Sequence, residues 1–358
     1  MPQNPSKKSH KKSLTKIVRR GVKAASFIAR GAISSRRVVL AQIIPMRRCD
    51  LACGYCNEYD KVSKPVPFEE VKEWIDKLAE FRTMNITISG GEPMLHPKIY
   101  EIISHIRSKG IMAGLITNGR SLTDKNIERL NEVGLQDLQI SVDNVEPDEV
   151  SEKSLSFYES KGILESLARL ADFDVNLNSV IGSDIEHPED AWTITTRAHE
   201  LGFGSTVGIL HDGDGMIQEL KGPAKEIYDR IIGVSAKSKL QFGYYSTEFQ
   251  SELLEKGTSP WRCRAGSRYL YICEHGRVQW CSQHRVCKDD KKHGESIATS
   301  SILDVPLKDF TWEEFDRQYS TEKWCAPQCT IQCVRLVGLF DNFRSPQVEF
   351  DDYGKTAS

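Results

Sequence analysis

The chain has 358 residues, 39% hydrophobic and 27% charged, which suits one large α/β domain with an appendage, or two domains. Its formal net charge is −2, and the lack of any run of about eighteen apolar residues argues against a transmembrane helix. The charge is unevenly placed: residues 1–40 hold eleven of the 48 Lys and Arg and none of the 50 Asp and Glu.

The ten cysteines fall in two groups, Cys49, Cys53 and Cys56, then seven from Cys263 to Cys333. The N-terminus lacks the continuous apolar stretch and small-residue cleavage pattern of a secretory signal. A cytoplasmic, reducing location is therefore expected, where clustered cysteines point to metal or catalysis rather than disulfides.

Residues 1–37 read as a basic amphipathic arm. Leu14, Ile17, Val18, Val22, Ala25 and Ile28 recur at helical spacing, with Lys12, Lys16, Arg19, Arg20 and Lys23 on the rest. Such a helix can lie peripherally on an anionic membrane. An organellar transit peptide, an RNA-binding arm and a solubilising tail are the alternatives.

Residues 38–210 alternate strand-like and helix-like segments, and 38–239 read as the core domain. Short, often β-branched apolar runs predict strands at Val38–Ile44, Asn85–Ser89, Met112–Thr117, Asp137–Val142, Asp174–Val180 and Ser205–Leu210. Phe68, Val71, Trp74, Ile75 and Leu78 keep helical spacing after Pro67, a first-turn proline. A second helix starts at Thr123, its N-cap, and stops at Gly134. Six β/α repeats predict a parallel sheet or partial (β/α)6 TIM-type barrel, with its chemistry at the carboxyl ends of the strands. Residues 240–340 change character, with dense aromatics, glycines and cysteines and few regular helices, and read as a small metal-stapled domain. Residues 341–358 form an acidic tail.

Just past the first strand stands Cys49-Asp-Leu-Ala-Cys53-Gly-Tyr55-Cys56, a C-x3-C-x2-C loop. Structural zinc wants four protein ligands, and no fourth Cys or His follows closely. Ser89-Gly90-Gly91-Glu92-Pro93 follows the second strand, Thr117-Asn118-Gly119 the third, and Ser141-Val142-Asp143 ends the fourth. Taken singly, each polar residue here is a turn former or helix cap as readily as a ligand contact.

Together these motifs resemble the radical S-adenosylmethionine (SAM) superfamily, over residues 38–215. The resemblance implies a [4Fe–4S] cluster on Cys49, Cys53 and Cys56, whose open iron SAM chelates through its amino and carboxylate groups. Reductive cleavage then gives a 5′-deoxyadenosyl radical that abstracts a hydrogen atom from substrate. The resemblance also implies SAM contacts from Tyr55, Ser89, Gly90, Gly91, Glu92, Asn118, Ser141 and Asp143. Lys153 stands where an arginine is commoner. A low-potential donor such as flavodoxin or ferredoxin is the expected electron source, and nucleic acid is not an expected partner.

Cys263, Gly276 and Cys281 have the spacing C-x12-G-x4-C, and Tyr269–Ile272 with Val278–Trp280 predict a hairpin turning at Gly276. This resembles the opening of the SPASM or twitch domains that carry auxiliary clusters. Downstream, Cys325-x3-Cys329-x3-Cys333 departs from the pattern of a two-cluster SPASM domain. The resemblance then implies one auxiliary [4Fe–4S] cluster on Cys263, Cys281 and two of Cys325, Cys329 and Cys333. Cys273 and Cys287 are spare or alternate ligands, and structural zinc is the competing interpretation. His211, Asp212 and Asp214 sit at the barrel mouth as polar candidates or as a solvated loop. The substrate is left open: a membrane-associated or lipid-linked molecule suits the arm, a peptide or RNA is the alternative, and a non-catalytic metal-stapled scaffold is the contrary class.

Overall fold

In the computed structural model, which describes residues 25–341 apart from 55, 57, 150, 212–215, 236–241, 260 and 284–302, residues 25–33 are helical (α1). The chain then enters β1 (Leu40–Met46), α2 (Phe68–Glu80), β2 (Asn85–Gly90), α3 (Ile99–Ser108), β3 (Met112–Thr117), α4 (Asp124–Glu132) and β4 (Asp137–Ser141). Two short helices, α5 (Leu155–Ser160) and α6 (Ile163–Leu170), precede β5 (Asp174–Ile181), α7 (Glu189–Glu200), β6 (Gly204–Ile209) and α8 (Gly222–Ser235). The remainder holds α9 (Phe242–Lys256), β7 (Tyr269–Ile272), β8 (Arg277–Gln279), β9 (Asp304–Pro306), α10 (Trp312–Ser320) and α11 (Gln332–Leu339).

The six expected barrel strands are all present, each within two residues of its expected limits. Local chemistry sets the helix limits. Thr123 caps α4 by accepting from the Asn126 N–H, and Gly134 ends it at φ +79°. Pro67 is the N-cap residue of α2 rather than its first helical residue, and Val71, Trp74, Ile75 and Leu78 form its buried face. The scarcity of helices expected after residue 240 is not found. α10 begins at Thr311, whose side chain accepts from the Glu314 N–H, and has Glu313 and Glu314 in its first turn, a capping signal that aromatic density obscures.

The strands pair in the order β6-β5-β4-β3-β2-β1-β7-β8-β9. From β6 through β1 to β7 all pairings are parallel, and β7-β8 and β8-β9 are antiparallel. The sheet has two free edges, so the barrel is partial. Alternation divides each strand. In β5, Val175, Leu177 and Ile181 are buried, whereas Asn176 and Asn178 look into a cavity with Gln42, Thr87, Gln139 and Thr206. The wall toward the helices is apolar, and the lumen carries a set of amides and hydroxyls among apolar lining residues such as Leu115, Leu138 and Phe173.

The cysteine-rich segment continues this sheet. β7 runs parallel to β1, with Leu40 opposite Tyr269 and Ile43 opposite Ile272, and one hydrophobic core holds residues of both parts. The β7-β8 hairpin turns at Gly276 as expected; its φ is +65°, and a Cβ there would meet the Trp74 ring at 2.8 Å. The end of the basic arm belongs to the same packing: Phe27 lies edge-on against Phe340, and Arg268 donates to the carbonyls of Gly31 and Ser34. The boundary at residue 37 therefore falls inside packed structure. Leu14, Ile17, Val18 and Val22 lie outside the described residues, as does the tail from 342.

Asp341 is a buried carboxylate shared by two buried guanidiniums, Arg264 at 3.2 Å and Arg268 closer still. Removing it strands both charges in the core. Asp341→Ala is expected to cost about 3–5 kcal/mol, read as a lower urea midpoint, whereas Asp316→Ala, at an exposed pair with Arg36, changes stability by less than about 1 kcal/mol.

Candidate active site

The three-cysteine loop leaves the carboxyl end of β1 and closes on its own stem. Cys49 N–H donates to the Asp60 carbonyl at 3.0 Å, and Asp60 N–H to the Arg47 carbonyl at 2.9 Å. Lys61 Nζ donates to the carbonyls of Cys49 (3.2 Å) and Leu51 (2.9 Å). The C-terminal segment grips both flanks. Arg47 pairs with Glu274 at 3.0 Å, and the Tyr271 hydroxyl donates to Glu58 at 2.7 Å. Burial pushes the Cys49 thiol up to about 11, opposed by the Leu51 N–H and reinforced by Asp50 and Glu92. Burial also raises Cys56. Thiols held protonated in this way bind metal with release of protons. Tyr55 lies outside the described residues.

The Gly-Gly-Glu segment packs directly on this loop. Gly91 N–H donates to the Met46 carbonyl at 2.8 Å and Glu92 N–H to that of Arg48 at 3.0 Å. A Cβ on Gly90 would lie 2.2 Å from the Met46 carbonyl oxygen, and one on Gly91 2.1 Å from that of Arg47. The glycines are thus required by backbone-to-backbone contact with the cysteine loop. Ser89 is buried at the end of the same strand. Glu92 is fully buried, and its carboxylate accepts from Thr117 Oγ1 (2.7 Å), Asn118 N–H (2.7 Å) and Met94 N–H (2.8 Å). That carboxylate ties the end of β2 to the end of β3. Burial, against these three donors, raises it to about 7.

Around the thiols stand side chains from the next two strand ends. Asn118 Nδ2 donates to Asp50 at 2.7 Å and lies 3.9 Å from Cys49 Sγ. Beneath it the Tyr158 hydroxyl donates to the Asn118 carbonyl at 2.5 Å, with the Ser141 carbonyl 3.1 Å away. Asp143 receives Ser151 Oγ at 2.6 Å and Lys153 Nζ at 2.9 Å, and Ser151 Oγ lies 3.7 Å from Cys53 Sγ. Burial disfavours the Lys153 ammonium, but Asp143, Cys53 and Cys56 outweigh it and raise its pKa. Ser151, Asp50 and Tyr158 were not singled out from sequence: a serine in a loop and a tyrosine on a helix carry no pattern that marks them.

A second group of thiols lies beyond β7. Cys263, Cys281, Cys325 and Cys329 line one small cavity with Trp280, Lys323 and Val334. Burial raises all of these thiols that shift, most strongly Cys325 and Cys329, each of which also feels the neighbouring cysteines. Cys333 does not join them. It faces the barrel lumen, donating to the Tyr269 hydroxyl at 3.8 Å, which in turn donates to Gln42 at 2.8 Å. Cys273 is buried in the hairpin outside this cup, and Cys287 lies outside the described residues.

A profile of the radical SAM superfamily matches residues 43–219. The PqqA peptide cyclase of Gluconobacter oxydans is 25% identical over 278 residues, 73% of this chain and 73% of that protein. The AdoMet-dependent heme synthase of Methanosarcina barkeri is 30% identical over 163 residues, 43% of this chain and 45% of that one. Among solved structures, Streptococcus suis SuiB bound to SAM aligns with a TM-score of 0.57 at 12% identity, covering 87% of this chain and 75% of its own. The chain belongs to the radical SAM superfamily.

This radical SAM enzyme has the residues its family cofactors need. Three thiols share one loop and have donors from β3 and the β4 loop beside them, the residue types a cluster and SAM would use, although among the described residues no three His, Cys, Asp or Glu stand close enough to hold one metal ion. A lumen of about 990 Å³ runs along the barrel to Val180, Leu210 and His211. Asn176 Nδ2 donates to Thr206 Oγ1 and Thr206 Oγ1 to Asn178 Oδ1, each at 2.8 Å. No Lys or Arg lines the lumen among the described residues. His211 is at its mouth, its Nε2 3.4 Å from Gln283 Nε2, while Asp212 and Asp214 lie outside the described residues.

The Glu92 carboxyl makes stability depend on pH. Its folded-state value of about 7 lies above the usual carboxyl value of about 4.5, so the folded chain holds a proton that the unfolded chain has lost. This stabilisation is complete below pH 4.5 and is lost as pH rises through about 7. In cluster-free protein its loss amounts to roughly 3 kcal/mol across that window. Glu92→Gln should remove this contribution, so that denaturation midpoints fall less, or rise, between pH 5 and 7 relative to the parent, with His96 and His199, both lowered by desolvation, contributing in the opposite sense.

Proposed function

We propose that this radical SAM enzyme modifies a peptide. The observation that carries the proposal is the lumen: amides and hydroxyls from β1, β2, β4, β5 and β6 offer paired donors and acceptors, and no cation is present among the lining residues to receive a phosphate headgroup. Relatives named PqqA peptide cyclase and the SuiB structure bound to the precursor peptide SuiA support the same substrate class. They favour it over a lipid-linked substrate.

In this proposal Cys49, Cys53 and Cys56 hold the SAM cluster. Asn118, Ser141, Asp143, Lys153 and the Ser89–Glu92 segment shape the SAM side. Glu92 acts through position, bracing β2 and β3, because its oxygens are already taken by protein donors. The cluster and SAM together supply an electron and a 5′-deoxyadenosyl radical. Cys263, Cys281, Cys325 and Cys329 hold one auxiliary cluster, and Cys333 is left as a lumen thiol. The electron donor is of the flavodoxin or ferredoxin type.

Reduced, reconstituted enzyme should convert SAM to methionine and 5′-deoxyadenosine. Replacing Cys49, Cys53 and Cys56 by Ala should abolish that conversion while about four irons remain per chain. Substrate class is read by comparing peptides and lipids, by mass spectrometry, from cells carrying active enzyme or the triple variant. A changed peptide is expected; an altered lipid with an unaltered peptide pool would return the reading to a lipid substrate.

A second proposal concerns the arm. Among its described residues Ile28 and Ile33 are exposed, at 46% and 80%, on a helix whose Phe27 is anchored to the fold. We propose that the arm, in whose sequence Ile17, Val18 and Ile28 recur at helical spacing, rests on an anionic membrane. Purified protein should sediment with phosphatidylserine vesicles, less so at high salt. Ile17→Asp with Val18→Asp should release it; equal binding by that variant would reduce the arm to a plain polycation.

A further inference from the structure

Two buried cations flank the four-cysteine cup. Lys323 is 4% exposed and lines the cup itself. Its ammonium donates to the carbonyls of Gln318 (2.5 Å) and Thr321 (2.9 Å) and stands 5.7 Å from the Trp280 ring centroid. Arg335 is 8% exposed, donates to the Ser259 carbonyl at 3.4 Å and to the Ser259 hydroxyl, and lies over Trp261 at 4.7 Å and Phe249 at 4.9 Å.

Neither cation pairs with a carboxylate among the described residues. Glu252 makes no ion pair with Arg335: it accepts from the Ser259 hydroxyl at 2.5 Å and acts on the guanidinium through space. The other buried arginines of this region, Arg264 and Arg268, are ion-paired with Asp341. Carbonyls and aromatic faces offset part of the cost of burying a charge, yet an ammonium without an anionic partner is a costly feature in a core. The groups that face Lys323 across the cup are thiols, Cys263 and Cys325 foremost.

We infer that Lys323, with Arg335 behind it, is the counter-charge of a cluster held by Cys263, Cys281, Cys325 and Cys329, and sets its reduction potential. This rests on the auxiliary-cluster reading above. A four-thiolate [4Fe–4S] centre is a dianion when oxidised and a trianion when reduced. A nearby cation in a low-dielectric site stabilises the more negative form and so raises the potential. Lys323 is a positioning residue for charge, not a ligand. An auxiliary cluster so poised is a better acceptor of an electron from the lumen side, where Tyr269 and Cys333 stand on the intervening strand and helix.

The test uses full-length Cys49→Ala/Cys53→Ala/Cys56→Ala protein, so that only the auxiliary centre titrates. Its midpoint potential is followed by electron paramagnetic resonance, with iron, sulfide and zinc measured on the same samples. Lys323→Met should keep its iron and shift the midpoint to lower potential; Lys323→Arg should restore it; Arg335→Gln should shift it in the same direction by less. Full iron content with an unmoved midpoint in both Lys323→Met and Arg335→Gln would overturn the inference alone. Zinc in place of iron in the parent triple variant would overturn the cluster reading beneath it. If Lys323→Met cannot be loaded, Lys323→Gln and Arg335→Gln carry the same comparison.

Discussion

β1 is clamped between two parallel neighbours, β2 from the barrel and β7 from the cysteine-rich segment. Everything chemical in this molecule hangs on that placement. The loop leaving β1 has the Gly-Gly-Glu backbone pressed on one side, at distances no side chain would permit. On the other it has Arg47 and Glu58 tied to Glu274 and Tyr271 of the β7 hairpin. A loop of small and polar residues is ordinarily mobile. Here backbone hydrogen bonds, the Lys61 staple and two flanking clamps fix the loop that carries the three thiols at the carboxyl edge of the sheet.

The same clamp gives the two thiol groups their separate environments. The first group is bounded by Asn118, Ser151 and Lys153, polar groups that come from successive strand ends. The second is enclosed by Trp280, Val334 and Ala326 and is nearly closed to solvent. Polar donors border the first group and apolar side chains enclose the second, so the two sets of thiols lie in different dielectric surroundings.

Glu92 shows how a motif residue can be important without touching a ligand. Its carboxylate is placed by a strand end, a following turn and the first residue after β3, and it is the only link of its kind between those two strand ends among the described residues. Within this fold, pairing it with backbone N–H groups aligns Asn118 toward Cys49. The polar set within the lumen is likewise built from residues that look unremarkable singly. Thr87, Gln139, Asn178 and Thr206 come together only because alternate residues of parallel strands face the same way.

The sequence alone determined the repeat of strands and helices, the limits of six strands, the Thr123 cap and the Gly276 turn. These follow from local periodicity and from backbone conformations that few residues tolerate. It also determined the three-cysteine loop and the grouping of Cys263 with Cys281, since a short hairpin brings its two ends together. It did not determine which of the last cysteines joins them: Cys325, Cys329 and Cys333 have equal spacing, and only the seating of α11 against β7 turns Cys333 into the lumen. Nor did it reveal that the cysteine-rich segment extends the barrel sheet, that the end of the arm packs against the core through Phe27 and Gly31, or that Lys323 is buried beside the cup. Each of these depends on contacts between residues far apart in the chain. No local pattern encodes such contacts; tertiary packing decides them by finding where buried charge, backbone and aromatic surface are jointly satisfied.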